Sequence, residues 1–295
     1  MSALALLASL FAGFATTSPI EYELNWNISQ IGALGQLRPT PEMIAEVGYK
    51  EVVYDENQAI PEEFDARQQW PHCISIRTIW AQGQCGCCWA VASASAMGDR
   101  YCVRNQGNVV LSAYDLMSCC KDCALNGPCR GGYSHKAWAH WSTIGVVTGG
   151  PTQCSGCTCY RYTGENLFNC DHTCRAGSGL SYYNELTHGR PPKFLVNNAE
   201  VIQREIMANG PVVAVMDVYT DFVDPGKEVY IHKSGAFRGG HAVRVIGWGV
   251  QYVSGQRVPY WLVANSWGTQ WGDGGFFRIL RGYNHCRMET MVLAD

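Results

Sequence analysis

Cysteine content constrains the fold of this chain more than any other sequence feature. The 295 residues include fifteen cysteines, and the first of them is Cys73. This density is typical of a disulfide framework made in an oxidising compartment, and the odd count leaves at least one thiol free. The net charge is −3 and 47% of the residues are hydrophobic, an ordinary globular balance without the basic field that nucleic acid requires.

The N-terminal residues differ from the rest of the chain. Residues 1–15 are apolar and end in small residues, which predicts a signal peptide cleaved near Ala15. No later segment is long enough to span a bilayer. Residues 16–59 contain no cysteine and carry the sequon at Asn27; we interpret them as a removable prosegment, with a poorly packed N-terminal extension as the alternative. The predicted domains are therefore 1–15, 16–59 and 60–295.

The segment Gln82–Ala90 carries a candidate nucleophile. The Ala-rich, proline-free sequence after Cys88 predicts a helix, and its small side chains indicate a buried one. Cys88 then lies at the helix N-terminus, where unpaired N–H groups and the macrodipole favour the nucleophilic thiolate. The alternative reading is a disulfide or metal-ligand cluster, but no matching Cys or His pair follows at zinc-finger spacing.

Two later motifs supply a base and a group to orient it. His241 follows Gly239-Gly240 and opens a predicted strand, whereas Asn265 follows a second apolar strand. A structural histidine and a turn-forming Asn are the alternative readings. Their pairing with Cys88 favours a catalytic set.

Together these motifs resemble papain-like cysteine proteases, and further motifs resemble the cathepsin B branch over nearly all of residues 60–295. The motifs that carry this resemblance are Ile60–Arg67, Cys119-Cys120, Gly131-Gly132-Tyr133, Asn209-Gly210-Pro211, Tyr260–Trp267 and Trp271–Phe277.

The resemblance implies an α+β fold with a helical left lobe, an antiparallel barrel-like right lobe and an active-site cleft between them. It gives Cys88 as nucleophile, His241 as base, Asn265 as the group that holds the imidazole, and Gln82 with the Cys88 N–H as the oxyanion hole. A Cys88 thiolate paired with a His241 imidazolium would keep the nucleophile available at acid pH. The implied substrate-binding residues are Gly131, Gly132, Tyr133, Ala242, Trp267 and Met291, with Trp267 also shielding the Asn–His contact.

The family pattern also implies the disulfides Cys73–Cys102, Cys85–Cys129, Cys119–Cys170 and Cys120–Cys123. For the remaining group we favour Cys159–Cys174 with a local Cys154–Cys157. Cys87, Cys88 and Cys286 would stay free.

Four positions depart from the cathepsin B pattern. No histidine lies between Cys159 and Cys170, where that branch has a long occluding loop with paired histidines. Cys87 replaces a Ser, Arg130 replaces an Asn, and Met291 replaces an acidic residue at the base of the second specificity pocket. Without that carboxylate, the pocket is expected to prefer apolar side chains and to reject Arg.

The leading hypothesis is an endopeptidase with little dipeptidyl-carboxypeptidase activity. The alternatives are a non-catalytic binding protein on a protease fold and a different Cys-His-Asn acyl transferase. We expect protein and peptide substrates, inhibition by the chain's own prosegment, a monomer, no cofactor, no metal, no nucleic acid and no stable membrane insertion. The expected location is the secretory pathway, in a lysosome-like vacuole or outside the cell.

Overall fold

The computed structural model describes residues 34–50, 58–124, 126–151, 154–160 and 169–295. The predicted signal peptide, the Asn27 sequon and most of the stretch between Cys159 and Cys170 lie outside these residues. Among the described residues, no helix is both long enough and apolar enough to cross a membrane.

The helices of the described residues are mostly short, and one long helix lies at their centre. The longest is α3 (Cys88–Val103), the helix predicted from the Ala-rich sequence after Cys88; 14 of its 16 residues are buried. Small side chains permit close packing there, because a Cβ on Gly98 would lie 3.1 Å from the Val109 carbonyl oxygen. The helices are α1 (Pro41–Val47), α2 (Ala66–Gln69), α3 (Cys88–Val103), α4 (Ala113–Cys119), α5 (Ser134–Thr143) and α6 (Ala199–Asn209).

The strands form one large sheet and two small pairs. The small pairs are β2 (Val146–Val147) with β5 (Leu186–Thr187), and β3 (Gly149–Gly150) with β4 (Thr158–Cys159). The large sheet has the order β6-β12-β7-β9-β10-β11-β8, with β1 also paired to β9. It is antiparallel except for the parallel β8–β11 pair. Its strands are β1 (Phe64–Asp65), β6 (Lys193–Leu195), β7 (Val212–Tyr219), β8 (Val229–Tyr230), β9 (Phe237–Val253), β10 (Gln256–Ala264), β11 (Phe276–Leu280) and β12 (Val292–Ala294).

Two large apolar clusters lie among the described residues. One packs the Trp side chains of α3 and α5 with part of β7 and β9. The other fills the sheet with Trp248, Trp261, Trp271 and Phe277. This arrangement confirms the predicted α+β class with helical and sheet-based lobes.

A buried ion pair joins the two lobes. Arg244 of β9 donates to the Asp99 carboxylate of α3 at 2.9 Å and 3.0 Å, and both side chains are almost fully buried. The same guanidinium donates to the backbone carbonyls of Ser75, Ile76 and Thr78. Most of its donors are therefore satisfied, as a buried guanidinium requires.

The disulfides agree with the family pattern at four pairs and differ at the last two. The structure forms Cys73–Cys102, Cys85–Cys129, Cys119–Cys170 and Cys120–Cys123, and leaves Cys87, Cys88 and Cys286 free.

The favoured pairings Cys159–Cys174 and Cys154–Cys157 are wrong. The structure instead pairs Cys154 with Cys159, and Cys157 with Cys174. The physical reason is a backbone contact, because Arg175 N–H donates to the Cys157 carbonyl at 2.9 Å and brings Cys174 beside Cys157. The Cα atoms of that pair lie 4.5 Å apart, within disulfide reach.

Replacing Arg244 with Met should destabilise the protein by about 3–5 kcal/mol, because the Asp99 carboxylate would stay buried without its cation. Urea unfolding of a Cys88→Ala background, which prevents self-digestion, measures this loss. Arg257→Met is the matched control, since its ion pair with Glu62 is exposed and should contribute less than about 1 kcal/mol. Equal losses in the two variants would contradict a dominant interlobe pair.

Candidate active site

Cys88 lies at the first position of α3, as the sequence predicts. The loop before it is fixed by two contacts. The Cys85–Cys129 disulfide and a bridge between Gly86 and Arg130 hold the loop just before the helix. Gly83 has φ +63°, a conformation that glycine adopts readily. Cys88 is completely buried.

Burial raises the pKa of the Cys88 thiol, and hydrogen bonds from the backbone N–H groups of Ala242 and Gly35 oppose that rise. The structure therefore shows Cys88 in a form that favours the neutral thiol.

His241 and Asn265 meet as the sequence predicts. His241 lies on β9 opposite Met216 of β7, and Asn265 follows the last residue of β10. The His241 Nε2 atom lies 2.8 Å from Asn265 Oδ1, which also accepts from the Ser266 N–H. Because Oδ1 is an acceptor, Nε2 carries the proton and Nδ1 of the neutral ring has the lone pair.

The imidazole is shielded and neutral. The Trp267 ring stacks on it, with centroids 5.0 Å apart and planes 24° from parallel. Burial lowers the pKa of His241 to about 4, and the Asn265 hydrogen bond only partly offsets this. Nδ1 has no hydrogen-bond partner among the described residues. The basic atom is thus available for a proton but is covered from water.

Gln82 lies in the same buried site, held by its backbone and its side chain. Its N–H donates to the Ser266 carbonyl at 2.9 Å, its Oε1 accepts from the Ser266 hydroxyl, and its Nε2 donates to the Cys85 carbonyl at 2.8 Å. Tyr160 contributes a further contact, because its hydroxyl donates to the Gln82 carbonyl at 2.7 Å and lies 3.3 Å from Cys87 Sγ. Sequence reasoning assigned no role to Ser266 or Tyr160. The one sequence feature that could have indicated a role for Ser266 is its position directly after Asn265.

Residues 34–50, which we call the covering segment, run across this site. Gly132 N–H donates to the Gly35 carbonyl at 2.8 Å, and Leu37 N–H donates to the Gly132 carbonyl at 2.9 Å. Gln36 N–H donates to the Gly240 carbonyl at 3.2 Å on the opposite side. A Cβ on Gly35 would lie 1.8 Å from the Gly86 carbonyl oxygen, so no side chain fits there. The covering segment therefore bridges both walls beside Cys88.

The far end of the covering segment is anchored away from the site. α1 begins at a Thr40 cap, and the backbone of Gly48 and Lys50 then pairs with Phe194 of β6. The Lys50 ammonium lies 2.8 Å from Glu205 Oε1 and donates to the Asp295 carbonyl at 2.8 Å. Glu205 is fully buried and also binds Arg100. The end of the segment thus joins a buried ionic network.

The predicted substrate-binding residues lie in two places around Cys88. Gly131 and Gly132 face the covering segment, and Tyr133 is buried next to them. Ala242 and Met291 belong to the same apolar cluster as Cys88. The Met291 carbonyl accepts from Val215 N–H at 3.0 Å, which fixes it against β7.

Two residues that the sequence did not single out also contact the covering segment. The Ser134 hydroxyl donates to the Gln36 side-chain oxygen at 2.7 Å. The Asp217 carboxylate forms an ion pair with Arg38. No motif signalled either residue, because both contacts join positions far apart in the chain.

Comparisons with known proteins identify the family. The family model "Papain family cysteine protease" matches residues 60–295. A cathepsin B-like cysteine proteinase of Schistosoma japonicum is 42% identical over 260 residues, covering 82% of this chain and 74% of the relative. A gut-specific cysteine proteinase of Caenorhabditis elegans is 42% identical over 246 residues, covering 80% and 73%.

Solved structures give the same result. Procathepsin B S9 from Trypanosoma congolense superposes with a TM-score of 0.75 and 34% identity, covering 90% of this chain and 86% of that chain. The proform of the ragweed pollen allergen Amb a 11, at 23% identity and a TM-score of 0.63, covers 83% and 69% and supports the fold alone. Family model, sequence relatives and superposition agree: this chain is a papain-family cysteine peptidase of the cathepsin B-like branch.

Proposed function

We propose that this peptidase is an endopeptidase that works through Cys88, His241 and Asn265 with a covalent acyl-enzyme. The observation that carries the proposal is the His241–Asn265 hydrogen bond, which leaves His241 Nδ1 as the basic atom. Cys88, the first residue of α3, belongs to the same site. A Cys at a helix N-terminus beside such a base is the arrangement that nucleophilic catalysis requires.

The reaction follows from these positions. The Cys88 sulfur attacks the scissile carbonyl carbon, and the negative oxygen that develops is stabilised by the Cys88 N–H and the Gln82 amide. The Gln82 Nε2 atom donates to the Cys85 carbonyl at 2.8 Å, which holds the amide in the buried site. The thiol proton of Cys88 passes to His241 Nδ1, which then protonates the departing amine, and the peptide's acyl group remains on sulfur as a thioester. His241 then takes a proton from water, which attacks the thioester and releases the acid.

Water access controls the protonation state of the nucleophile. In the covered site, burial raises the pKa of Cys88 and lowers that of His241, so both groups are neutral between pH 5 and 7. Removing the covering segment hydrates both groups. Hydration lowers the pKa of Cys88 and raises that of His241, because burial no longer disfavours their charged forms. The Cys88 thiolate and His241 imidazolium then form an ion pair that is available at acid pH.

We assign residues 16–59 to a prosegment that inhibits the mature domain, residues 60–295. Support comes from the covering segment, whose backbone bridges Gly132 and Gly240 across the nucleophile. We further propose that residues 1–15 are a signal peptide. The protein would then act as a monomer in a lysosome-like vacuole or outside the cell. The disulfide framework supports the oxidising route.

We propose endopeptidase rather than dipeptidyl-carboxypeptidase activity because of how few histidines lie near Cys170. A carboxypeptidase needs a cation to bind the terminal carboxylate of its substrate. No histidine occurs between Cys159 and Cys170. His172 packs against the Tyr182 and Tyr183 rings, with centroids 5.0 and 6.0 Å away. We therefore propose a cleft that is open to internal peptide bonds.

The second specificity pocket should accept apolar side chains. Met291, Ala242 and Val215 are buried in one apolar cluster with Cys88. Met is flexible and polarizable, so it adapts to Leu, Val or Phe without a strict shape demand. This supports a preference for an apolar residue before the residue at the cleaved bond.

Replacing Cys88 with Ala should abolish peptide hydrolysis, whereas Cys87→Ser should keep most of it. Cys87 is buried against Tyr160, and burial raises the pKa of its thiol to about 12, so it is not a nucleophile near neutral pH. Hydrolysis of a fluorogenic dipeptide substrate measures both variants, and labelling by an epoxide inactivator maps the reactive residue. Loss of activity in Cys87→Ser with retention in Cys88→Ala would reverse the assignment.

Removing the covering segment should raise the alkylation rate of Cys88 on the order of a hundredfold, because a buried neutral thiol becomes a hydrated thiolate. Iodoacetamide labelling at pH 6, with peptide mapping before and after acid processing, measures this rate. Cys286 is the internal control, since it is partly exposed in the covered form. The processed chain should begin near Ile60 and lose the lag in activity. Equal labelling of Cys88 in intact and processed chains would count against inhibition by the segment.

Digestion of long peptides should give internal fragments from the earliest time points. The described histidine nearest to Cys170, His172, packs against two tyrosine rings, so serial dipeptide removal should be a minor activity. Mass spectrometry of timed digests decides this, and a substrate with an amidated C-terminus serves as the control. Amidation should leave the cleavage rate nearly unchanged. Loss of C-terminal dipeptides as the main product would refute the endopeptidase assignment.

A further inference from the structure

We propose that Asp217 makes the second specificity pocket accept an Arg side chain as well as apolar ones. The pocket meant here is the one beside Met291, and the substrate is a peptide with Arg immediately before the residue at the cleaved bond. This inference rests on the proposed peptidase function. It concerns an acidic residue on β7, at a position to which the sequence motifs assign nothing.

A guanidinium of the chain itself already occupies this position. Arg38 of the covering segment forms an ion pair with Asp217, and its other terminal nitrogen donates to Met291 Sδ at 3.3 Å. One cation therefore contacts the carboxylate and the thioether together. Asp217 is 7% exposed and Met291 is 6% exposed, so their side of the contact is largely buried, whereas the Arg38 side chain is 25% exposed.

The backbone places the carboxylate beside both the pocket and the catalytic base. Val215 N–H binds the Met291 carbonyl, and Asp217 lies two residues further along the same strand. Alternate residues of a strand share a face, so Val215 and Asp217 point to the same side of β7. Asp217 is also paired with Gly240, the residue before His241. The carboxylate thus lies at the catalytic edge of the pocket.

The sequence-based expectation that this pocket rejects Arg assumed that no carboxylate reaches it. That premise does not hold, because Asp217 supplies one from β7 in place of the acidic residue that Met291 replaces. An Arg side chain would lay its aliphatic stem along Met291 and place its head on Asp217. An apolar side chain would contact Met291 alone. One pocket then serves both classes of residue.

Loss of the covering segment strengthens this inference. In the covered form Asp217 forms its ion pair with Arg38, and processing removes Arg38. The Asp217 carboxylate then remains beside the apolar side chain of Met291. An ion pair formed there is stronger than one formed in open water. A substrate Arg restores the contact that Arg38 made.

The test compares two substrates on the activated enzyme that differ only in Phe or Arg before the cleaved Arg. For the unmodified enzyme we expect the kcat/KM of Arg-Arg to lie within about tenfold of that of Phe-Arg. In Asp217→Asn the ratio of Phe-Arg to Arg-Arg should rise at least about tenfold, the effect of losing a charge-assisted hydrogen bond. Asp273→Asn removes the same charge from an exposed turn and should keep the unmodified ratio.

The outcomes separate three cases. A larger gap than tenfold in the unmodified enzyme, or an unchanged ratio in Asp217→Asn, overturns the inference. If Asp217 serves only to bind the covering segment, Asp217→Asn speeds processing of the full chain and leaves the substrate ratio unchanged, which also overturns it. If the activated unmodified enzyme cleaves neither substrate, the proposed function itself fails. The unmodified ratio needs no variant, so the test stands even if Asp217→Asn does not fold.

Discussion

The buried ion pair between Asp99 and Arg244 is the constraint on which the catalytic geometry depends. Asp99 belongs to the helix that begins with Cys88, and Arg244 lies three residues after His241 on β9. Desolvating two charges is costly, and the pair is tolerated because three backbone carbonyls also bind the guanidinium. Cys88 and His241 are therefore positioned by the core between the lobes rather than by their own loops.

Covalent links extend this constraint to both ends of the helix. The Cys85–Cys129 disulfide fixes the loop just before Cys88, and Cys73–Cys102 fixes the last turn of the helix. A rigid nucleophile suits a reaction in which a misplacement of about 1 Å costs much of the rate. The covering segment, by contrast, binds the cleft through backbone hydrogen bonds and is anchored by Lys50.

The sequence predicts those features that depend on local pattern or on the family motifs. The Ala-rich stretch after Cys88 predicts the buried helix, and the family resemblance implies the His241–Asn265 contact and four disulfides that the structure forms. The remaining cysteine pairs were predicted wrongly because four cysteines within a short span have several possible partners. The hydrogen bond from the Arg175 N–H to the Cys157 carbonyl, which no local pattern encodes, brings Cys174 beside Cys157.

The contact of Arg38 with Asp217 was missed for a related reason. It joins residues 179 positions apart, and neither belongs to a motif. The position of nearby Met291 is set by Glu289, whose carboxylate accepts from Trp261 Nε1 at 2.9 Å and from two backbone N–H groups.

These bonds hold the segment before Met291 in an unusual conformation. Asn284, Cys286 and Arg287 all have positive φ, which non-glycine residues adopt only when their surroundings compensate the cost. Glu289 provides that compensation from inside the sheet core. In the pocket that we propose, the C-terminal segment therefore supplies Met291 as a fixed apolar wall, while the charge comes from a different element, β7. Because the two come from separate elements, a change of charge at Asp217 leaves the apolar wall in place, and a change at Met291 leaves the carboxylate in place.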